Sequence, residues 1–196
     1  MAKKLFLTLS IIAFFASCSV RRHPTFDEGI VINGVRWATR NVDAPGTFTT
    51  RFDRAGRLFQ WNRYKGWTAT ATIATGWDSS APIGSIWNEI NDPCPVGWRV
   101  PTPQELQSLY DAGSVWVTIN GVNGRLFGTA PNQIFLPAAG SRLTRGMFGA
   151  AGESSFYWSS IRRNELMAYG LQTSERHVFM GSGNVAGGFS IRCVAK

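Results

Sequence analysis

Cysteine and histidine are scarce here, with three cysteines and two histidines in 196 residues. Zinc draws its ligands mostly from those two residue types, so Cys94, Cys193, His23 and His177 cannot assemble a zinc centre without help. A small scaffold stapled by several disulfides is excluded by the same count. Acidic residues are also few, 12 against 20 lysines and arginines, and nothing sets Glu153, Glu165 or Glu175 apart as one of the facing carboxylates of a glycosidase. No apolar run reaches the ~20 residues a membrane-spanning helix needs. No period of roughly 20 to 50 residues marks a solenoid, and no Gly-x-Ser-x-Gly elbow offers a hydrolase nucleophile. Gly181-Ser182-Gly183-Asn184-Val185-Ala186 has the letters of a dinucleotide fingerprint. It lies near the C-terminus and leads into strand-like sequence rather than a helix, so the phosphate-binding geometry is missing.

What is present begins at the N-terminus. Lys3 and Lys4 precede a short apolar run from Leu5 to Ala16, and Phe15-Ala16-Ser17-Cys18 resembles a bacterial lipobox. This pattern predicts a signal peptide over 1–17, acylation of Cys18 and a lipidated tether over 18–29, with the protein exported and held at the cell envelope, on the outer membrane, by its acyl chains. The lipid bilayer is then one partner. Removing residues 1–17 takes away two lysines and no acid, lowering the formal net charge from +8 to +6. The remaining arginines are scattered, no basic helix is visible, and a solvated cationic surface is expected. The densest stretch, Arg51, Arg54, Arg57, Arg63 and Lys65, alternates with Phe52, Phe59, Trp61 and Trp67, a mixture also used by single-strand-binding grooves. Export argues against nucleic acid as a partner.

With Cys18 acylated, Cys94 and Cys193 are left as a lone pair in an oxidising compartment, where a disulfide is the expected outcome. The remaining ~180 residues suffice for one core and do not require two, so a single domain over 30–196 is expected. Ile30–Ile32 and Val35–Trp37 flank Asn33-Gly34, the strongest short hairpin signal. Thr102-Pro103-Gln104-Glu105 reads as a helix start, with threonine as N-cap, proline at the first helical position and glutamate closing a capping box. Leu106, Leu109 and Tyr110 give this helix an apolar face, and Gly113 ends it. Strands are expected at 115–119, 133–136, 156–159, 166–171, 178–180 and 189–194. In the last, alternation would turn Phe189, Ile191 and Cys193 to the core and Ser190 and Arg192 away from it. With 21 glycines and eight tryptophans between short strands, the fold class is α+β with long loops and few helices. Trp77 and Trp87, in loop-like sequence, are candidates for sugar stacking, although large aromatics more often serve burial.

Several stretches carry a family resemblance. Asn91-Asp92-Pro93-Cys94-Pro95-Val96-Gly97-Trp98-Arg99-Val100-Pro101-Thr102 with Glu105-Leu106, then Tyr157-Trp158-Ser159-Ser160, and the closing Gly188-Phe189-Ser190-Ile191-Arg192-Cys193-Val194 resemble the Fibrobacter succinogenes major paralogous domain. Gly34 to Val42 and Phe59-Gln60-Trp61-Asn62 resemble its opening, so the likeness runs from about residue 30 to the end. It implies a C-type-lectin-like domain in a lipoprotein of the Bacteroidetes type. The fold hosts sugar binders, protein binders and at least one enzyme class, so it does not itself assign a function. The calcium loop of C-type lectins is not matched: Ala130-Pro131-Asn132-Gln133 lacks the acceptor before proline, and Trp87-Asn88-Glu89 stands upstream of Cys94, in the wrong order. No metal and no cofactor is expected. The formylglycine-generating enzymes share a related fold but need a reactive cysteine pair, whereas Cys94 and Cys193 read as structural.

Binding is the reading left, with no enzymatic activity. Between Trp158 and Phe189 the side chains change character without periodicity, and targets of diversity-generating retroelements with this fold carry their varied, ligand-facing positions in that region. The resemblance therefore points to Arg162, Arg163, Asn164, Tyr169, Gln172, Glu175, Arg176, His177 and Phe179 as contacts for an extracellular protein or glycan, since arginine and aromatics suit hot spots. Ordinary strand and loop surface is the plainer alternative for these residues. A structural envelope or fimbrial accessory component is the alternative for the protein.

Overall fold

The computed structural model describes residues 25–70 and 74–196. The expected signal peptide, Cys18 and most of the expected tether lie outside the described residues. The chain begins with the predicted hairpin, β1 (Ile30–Ile32) and β2 (Val35–Trp37). Its turn is made by Asn33 and Gly34, both in the left-handed region at φ 47° and 79°, the geometry that favours an Asn-Gly pair. A second hairpin, β3 (Arg57–Gln60) and β4 (Gly66–Thr68), precedes a long irregular stretch that ends at β5 (Trp98–Arg99).

The helix α1 (Pro103–Asp111) follows. Thr102 Oγ1 accepts from Glu105 N at 3.2 Å, and Thr102 N donates to the Glu105 carboxylate at 2.7 Å, so the expected capping box is formed in both directions. Leu106 and Leu109 are buried, Tyr110 is 37% exposed, and Gly113 terminates the helix with φ 75°. The remainder is strand: β6 (Ser114–Ile119), β7 (Val122–Thr129), β8 (Asn132–Pro137), β9 (Ala139–Arg142), β10 (Phe148–Ala151), β11 (Ser154–Arg162), β12 (Met167–Ser174), β13 (Val178–Asn184), β14 (Gly188–Phe189) and β15 (Val194–Ala195).

The strands form three sheets. One runs β1-β2-β15-β5 and joins the two ends of the domain; one runs β13-β12-β11-β9-β14-β3-β4, with β10 paired to β9; and the third is β6-β7-β8. Pairing is antiparallel except between β9 and β11. Among the described residues the protein is thus mainly β with one nine-residue α-helix, and the helical part of the α+β expectation shrinks to that element. Two apolar clusters fill it. In one, Trp37, Leu106, Leu109, Phe127, Tyr157 and Leu171 lie under α1. In the other, Phe59, Trp61, Trp87, Phe156, Trp158 and Ile191 gather around Cys193.

Three sequence expectations need correction. The stretch 189–194 is not one strand. It belongs to the large sheet at Phe189 and to the terminal sheet at Val194, and between them it crosses the interior, so that Ser190, Ile191, Arg192 and Cys193 are all fully buried. Alternation into solvent fails because both sides of the crossing are covered. The arginines are not all on the solvated cationic surface either, although Arg36, Arg51, Arg54, Arg145, Arg163 and Arg176 are exposed. Arg40, Arg125, Arg142 and Arg192 are buried. Arg192 donates to Asn41 Oδ1 at 3.0 and 2.8 Å, to Ala38 O at 3.2 Å and to Phe135 O at 2.8 Å, and burial pushes its pKa down. Arg142 reaches Thr68 O at 3.1 and 2.9 Å and Gly146 O at 2.6 Å. The planar five-donor fork of arginine satisfies carbonyls that irregular segments cannot pair among themselves. Finally, the last residues assigned to the tether are bound to the domain. The Asp27 carboxylate accepts from Thr39 N at 3.1 Å, Thr39 Oγ1 at 2.8 Å and Arg40 Nε at 3.1 Å.

Cys94 and Cys193 form a disulfide with Cα atoms 6.1 Å apart, closing a sequence separation of 99 residues. It ties the turn before β5 to the buried crossing, beside the sheet that joins the termini. Asp92 supports that turn by accepting from Cys94 N at 2.9 Å and Val100 N at 3.0 Å, while burial pushes its carboxyl upward.

Candidate functional site

Between β4 and β5 the described residues form only a short 3-10 turn, Glu89–Asn91, so the shape of the segment is set by side chains that reach back to the frame. Gln60, at the end of β3, donates from Nε2 to Asp78 O at 2.6 Å and Ala186 O at 3.1 Å. Asn62, left-handed at φ 54°, donates to Ile83 O at 2.9 Å and accepts from Asn88 N at 2.7 Å. Arg63 pairs with Asp78 at 2.7 Å and donates to Ser80 O at 3.1 Å. Trp77 donates to Thr144 O at 2.9 Å, and Trp87 N donates to Ser160 O at 2.7 Å. A bridge between Ile86 and Ile161 and the bond from Arg162 N to Ser85 O at 3.0 Å dock the outer part of the segment on the end of β11.

Held this way, residues 76–91 stand off the β3–β4 turn and leave a cleft of about 680 Å³, lined among others by Arg63, Tyr64, Lys65, Trp67, Asp78 and Ile83. The volume lies within the ~300–1,000 Å³ usual for small-molecule sites. The Trp67 ring lies on Trp77 at a centroid distance of 5.0 Å, and Lys65 Nζ sits 4.0 Å from the Trp67 centroid. Tyr64 is 49% exposed, and Ile83 and Ile86 stand exposed on the rim. Trp67 Nε1 and Arg63 Nε are shielded from water and have no hydrogen-bond partner among the described residues, each a cost of ~1–3 kcal/mol while unpaired. Hydrogen bonds from Ser80, reinforced by the Arg63 charge, hold the Asp78 carboxyl below its usual range, so it is ionised at neutral pH and spent on its own loop.

The two tryptophans singled out for stacking are packing residues. Trp87 is buried edge-on against Trp61 at 5.6 Å, and Trp77 pins its loop to residue 144. In the basic-aromatic stretch most of the side chains are already engaged within the fold. Arg51, Arg57 and Arg63 each pair with a carboxylate, on Asp53, Asp43 and Asp78, while Phe59 and Trp61 are buried. That same stretch nevertheless contributes Arg63, Lys65 and Trp67 to the cleft, so the signal was in the sequence under another reading.

The nine C-terminal candidates do not form one patch. Arg162, Arg163 and Asn164 lie at the β11–β12 turn. There Arg162 reaches Pro82 O and lies over Trp61 at 5.1 Å, Arg163 donates to Ser182 Oγ at 3.2 Å, and Asn164 Oδ1 accepts from Leu166 N and Met167 N. Glu175, Arg176 and His177 are exposed at the β12–β13 turn, which Arg125 holds by donating to Ser174 O and Glu175 O, each at 2.9 Å. The length of β12 separates these groups by ~23 Å at ~3.3 Å per residue. Gln172 and Phe179 are cross-strand partners and share one face, whereas Tyr169, an odd number of residues away from Gln172, belongs to the other with Ser182. Between them Gly170 is locked, since a Cβ there would come within 2.2 Å of the Phe156 ring. Only the Arg162–Asn164 end adjoins the cleft, through the Ser85–Ile86 segment.

Among the described residues no group of three or more His, Cys, Asp or Glu side chains converges as a metal site, and no helix is long and apolar enough to cross a membrane. Compared with models of protein families, with curated proteins and with solved structures, the chain matches none.

Proposed function

We propose that this chain is an exported lipoprotein, anchored to the cell envelope through acylated Cys18, whose C-type-lectin-like domain of the Fibrobacter major paralogous kind binds an extracellular glycan or protein without catalysis. The observation that carries the binding reading is the cleft. A long segment with little regular structure is held open on a disulfide-tied frame by side-chain bonds, and the cleft beneath it keeps aromatic side chains and the Lys65 ammonium. Loops built at such cost on a rigid scaffold usually carry function. Placing the site there shifts it from the middle of the C-terminal segment to its start, where Arg162 backs the cleft wall.

The test is a combined glycan and peptide array probed with wild type, with Ile83→Glu on the cleft rim, and with a double Arg176→Ala, His177→Ala variant at the far turn. Melting temperatures provide the check on folding. Ligands lost in Ile83→Glu and kept in the double variant support the cleft. The reverse pattern moves the site to the β12–β13 turn, and no ligand for any of the three rejects the binding role. A structural envelope role is favoured by one feature: β13 closes an edge of the large sheet and, among the described residues, pairs only with β12, leaving a seven-residue edge for strand addition.

A further inference from the structure

We infer that the cleft takes an acidic saccharide, a sugar ring bearing a carboxylate; this rests on the cleft being the ligand site. The groups left over once the loop is hung are mainly donors. Asp78 is consumed by Arg63 and Ser80, and Asn62 Oδ1 by Asn88 N. What remains is the Lys65 ammonium and the Tyr64 hydroxyl. No carboxylate lies within salt-bridge distance of Lys65 among the described residues. With Arg63 neutralised by Asp78, Lys65 leaves the cleft with one uncompensated positive charge, and an occupant that complements it brings acceptors and a negative charge.

Lys65 also decides which acceptor-rich ligand fits. Its ammonium rests on the Trp67 ring, a contact of the cation–π kind that is worth little at an exposed site. A carboxylate entering the cleft draws the ammonium away, which bares the indole face for the C–H face of a sugar ring. A bare inorganic anion would engage Lys65 and leave the aromatic lining unused. A peptide strand would need a ladder edge, and the walls here are a turn and an irregular segment that present side chains instead.

The experiment is titration calorimetry of the full-length chain with trigalacturonate, with the same trisaccharide as its methyl ester, with cellotriose and with inorganic phosphate. Indole fluorescence is recorded alongside. Expected is trigalacturonate binding that is about tenfold or more tighter than that of the ester and weakens with salt. Lys65→Met should abolish that preference and Lys65→Arg restore it, while Trp67→Phe should weaken binding and remove the fluorescence change. Equal binding of acid, ester and cellotriose, sensitive to Trp67→Phe but not to Lys65→Met, overturns the acidic ligand and leaves the cleft standing. Phosphate competing at equal strength reduces the site to a plain anion contact and also overturns it. No binding by any of the saccharides, while array ligands are still lost in Ile83→Glu, rejects saccharide chemistry alone; array ligands insensitive to Ile83→Glu reject the cleft itself.

Discussion

The closing frame and the hung segment use the same kind of bond to opposite ends. In the frame, Arg192 links Ala38, Asn41 and Phe135 across more than fifty residues of sequence in each case, fully buried and beside the disulfide. In the segment over the cleft, Gln60, Asn62 and Arg63 also reach backbone carbonyls, and Gln60 and Asn62 are themselves buried, but the loop residues they hold, Asp78, Ile83 and Ser80, are exposed. A buried fork with several partners makes distant segments fold together, because losing it strands several acceptors at once. Anchors whose loop-side partners are exposed let that segment open locally while the rest stays closed. Stability is therefore concentrated where the termini meet, and the capacity to adapt lies beside the cleft.

The contrast is tested most severely at the disulfide. Cys94→Ser or Cys193→Ser should cost up to ~4.7 kcal/mol in the chain-entropy account of a loop of about 100 residues. Urea denaturation of variants and wild type measures it, and a loss under ~1 kcal/mol would mean that the frame closes without the link. Arg192→Met comes next, at ~3 kcal/mol, since it leaves buried acceptors on Ala38, Asn41 and Phe135 without their donor. The loss should appear in the global unfolding transition, and a change confined to local hydrogen exchange would place Arg192 with the loop anchors instead.

Asn62→Gly preserves the left-handed backbone and deletes the amide, so it isolates one anchor. About 1–2 kcal/mol should be lost locally, seen as faster hydrogen exchange over 83–91 with β2 and β15 unchanged. Equal acceleration in both regions would erase the distinction. The smallest effect is expected at the helix. Burial acts upward on the Glu105 carboxyl, but bonds from Arg99 and Thr102 outweigh it and hold the pKa below its usual 4.5. A carboxyl lowered on folding stabilises fully above its unfolded pKa and loses that contribution as pH falls through the folded one. Glu105→Gln should cost less than about 1 kcal/mol at neutral pH and flatten the acid limb between those two values. An unaltered acid limb would show that Glu105 adds nothing there.

Local chemistry explains why α1 and the first hairpin were readable. A capping box and an Asn-Gly turn are complete within a few residues. The turn between β6 and β7 carries the same letters, Asn120-Gly121, and the same positive φ values of 52° and 77°. The strand after it is not legible in the sequence, since Gly124, Arg125 and Gly128 weaken the pattern of β7. Gly124 and Gly128 stand where an added Cβ would meet neighbouring backbone at 2.4 Å in each case, so close packing rather than propensity selected them. The candidate site was less legible. Lys65 and Trp67 stood in a stretch noticed for its charge, while the interest in Trp77 and Trp87 came from loop-like sequence, which does not distinguish a free ring from a pinned one.

The sequence by itself determined the elements whose causes are local: the capped helix, the opening hairpin, five of the ten strands that follow the helix (β6, β8, β11, β12 and β13) and the two cysteines available to join. Only the tertiary structure decided that 189–194 crosses between two sheets, that four arginines are interior, that the nine C-terminal candidates divide along β12, and that residues 76–91 arch over a cleft. Each of those outcomes depends on partners far away in the chain. A buried arginine and an exposed one are spelled alike, and what separates them is whether carbonyls such as those of Ala38 and Phe135 wait for a donor where the chain brings it.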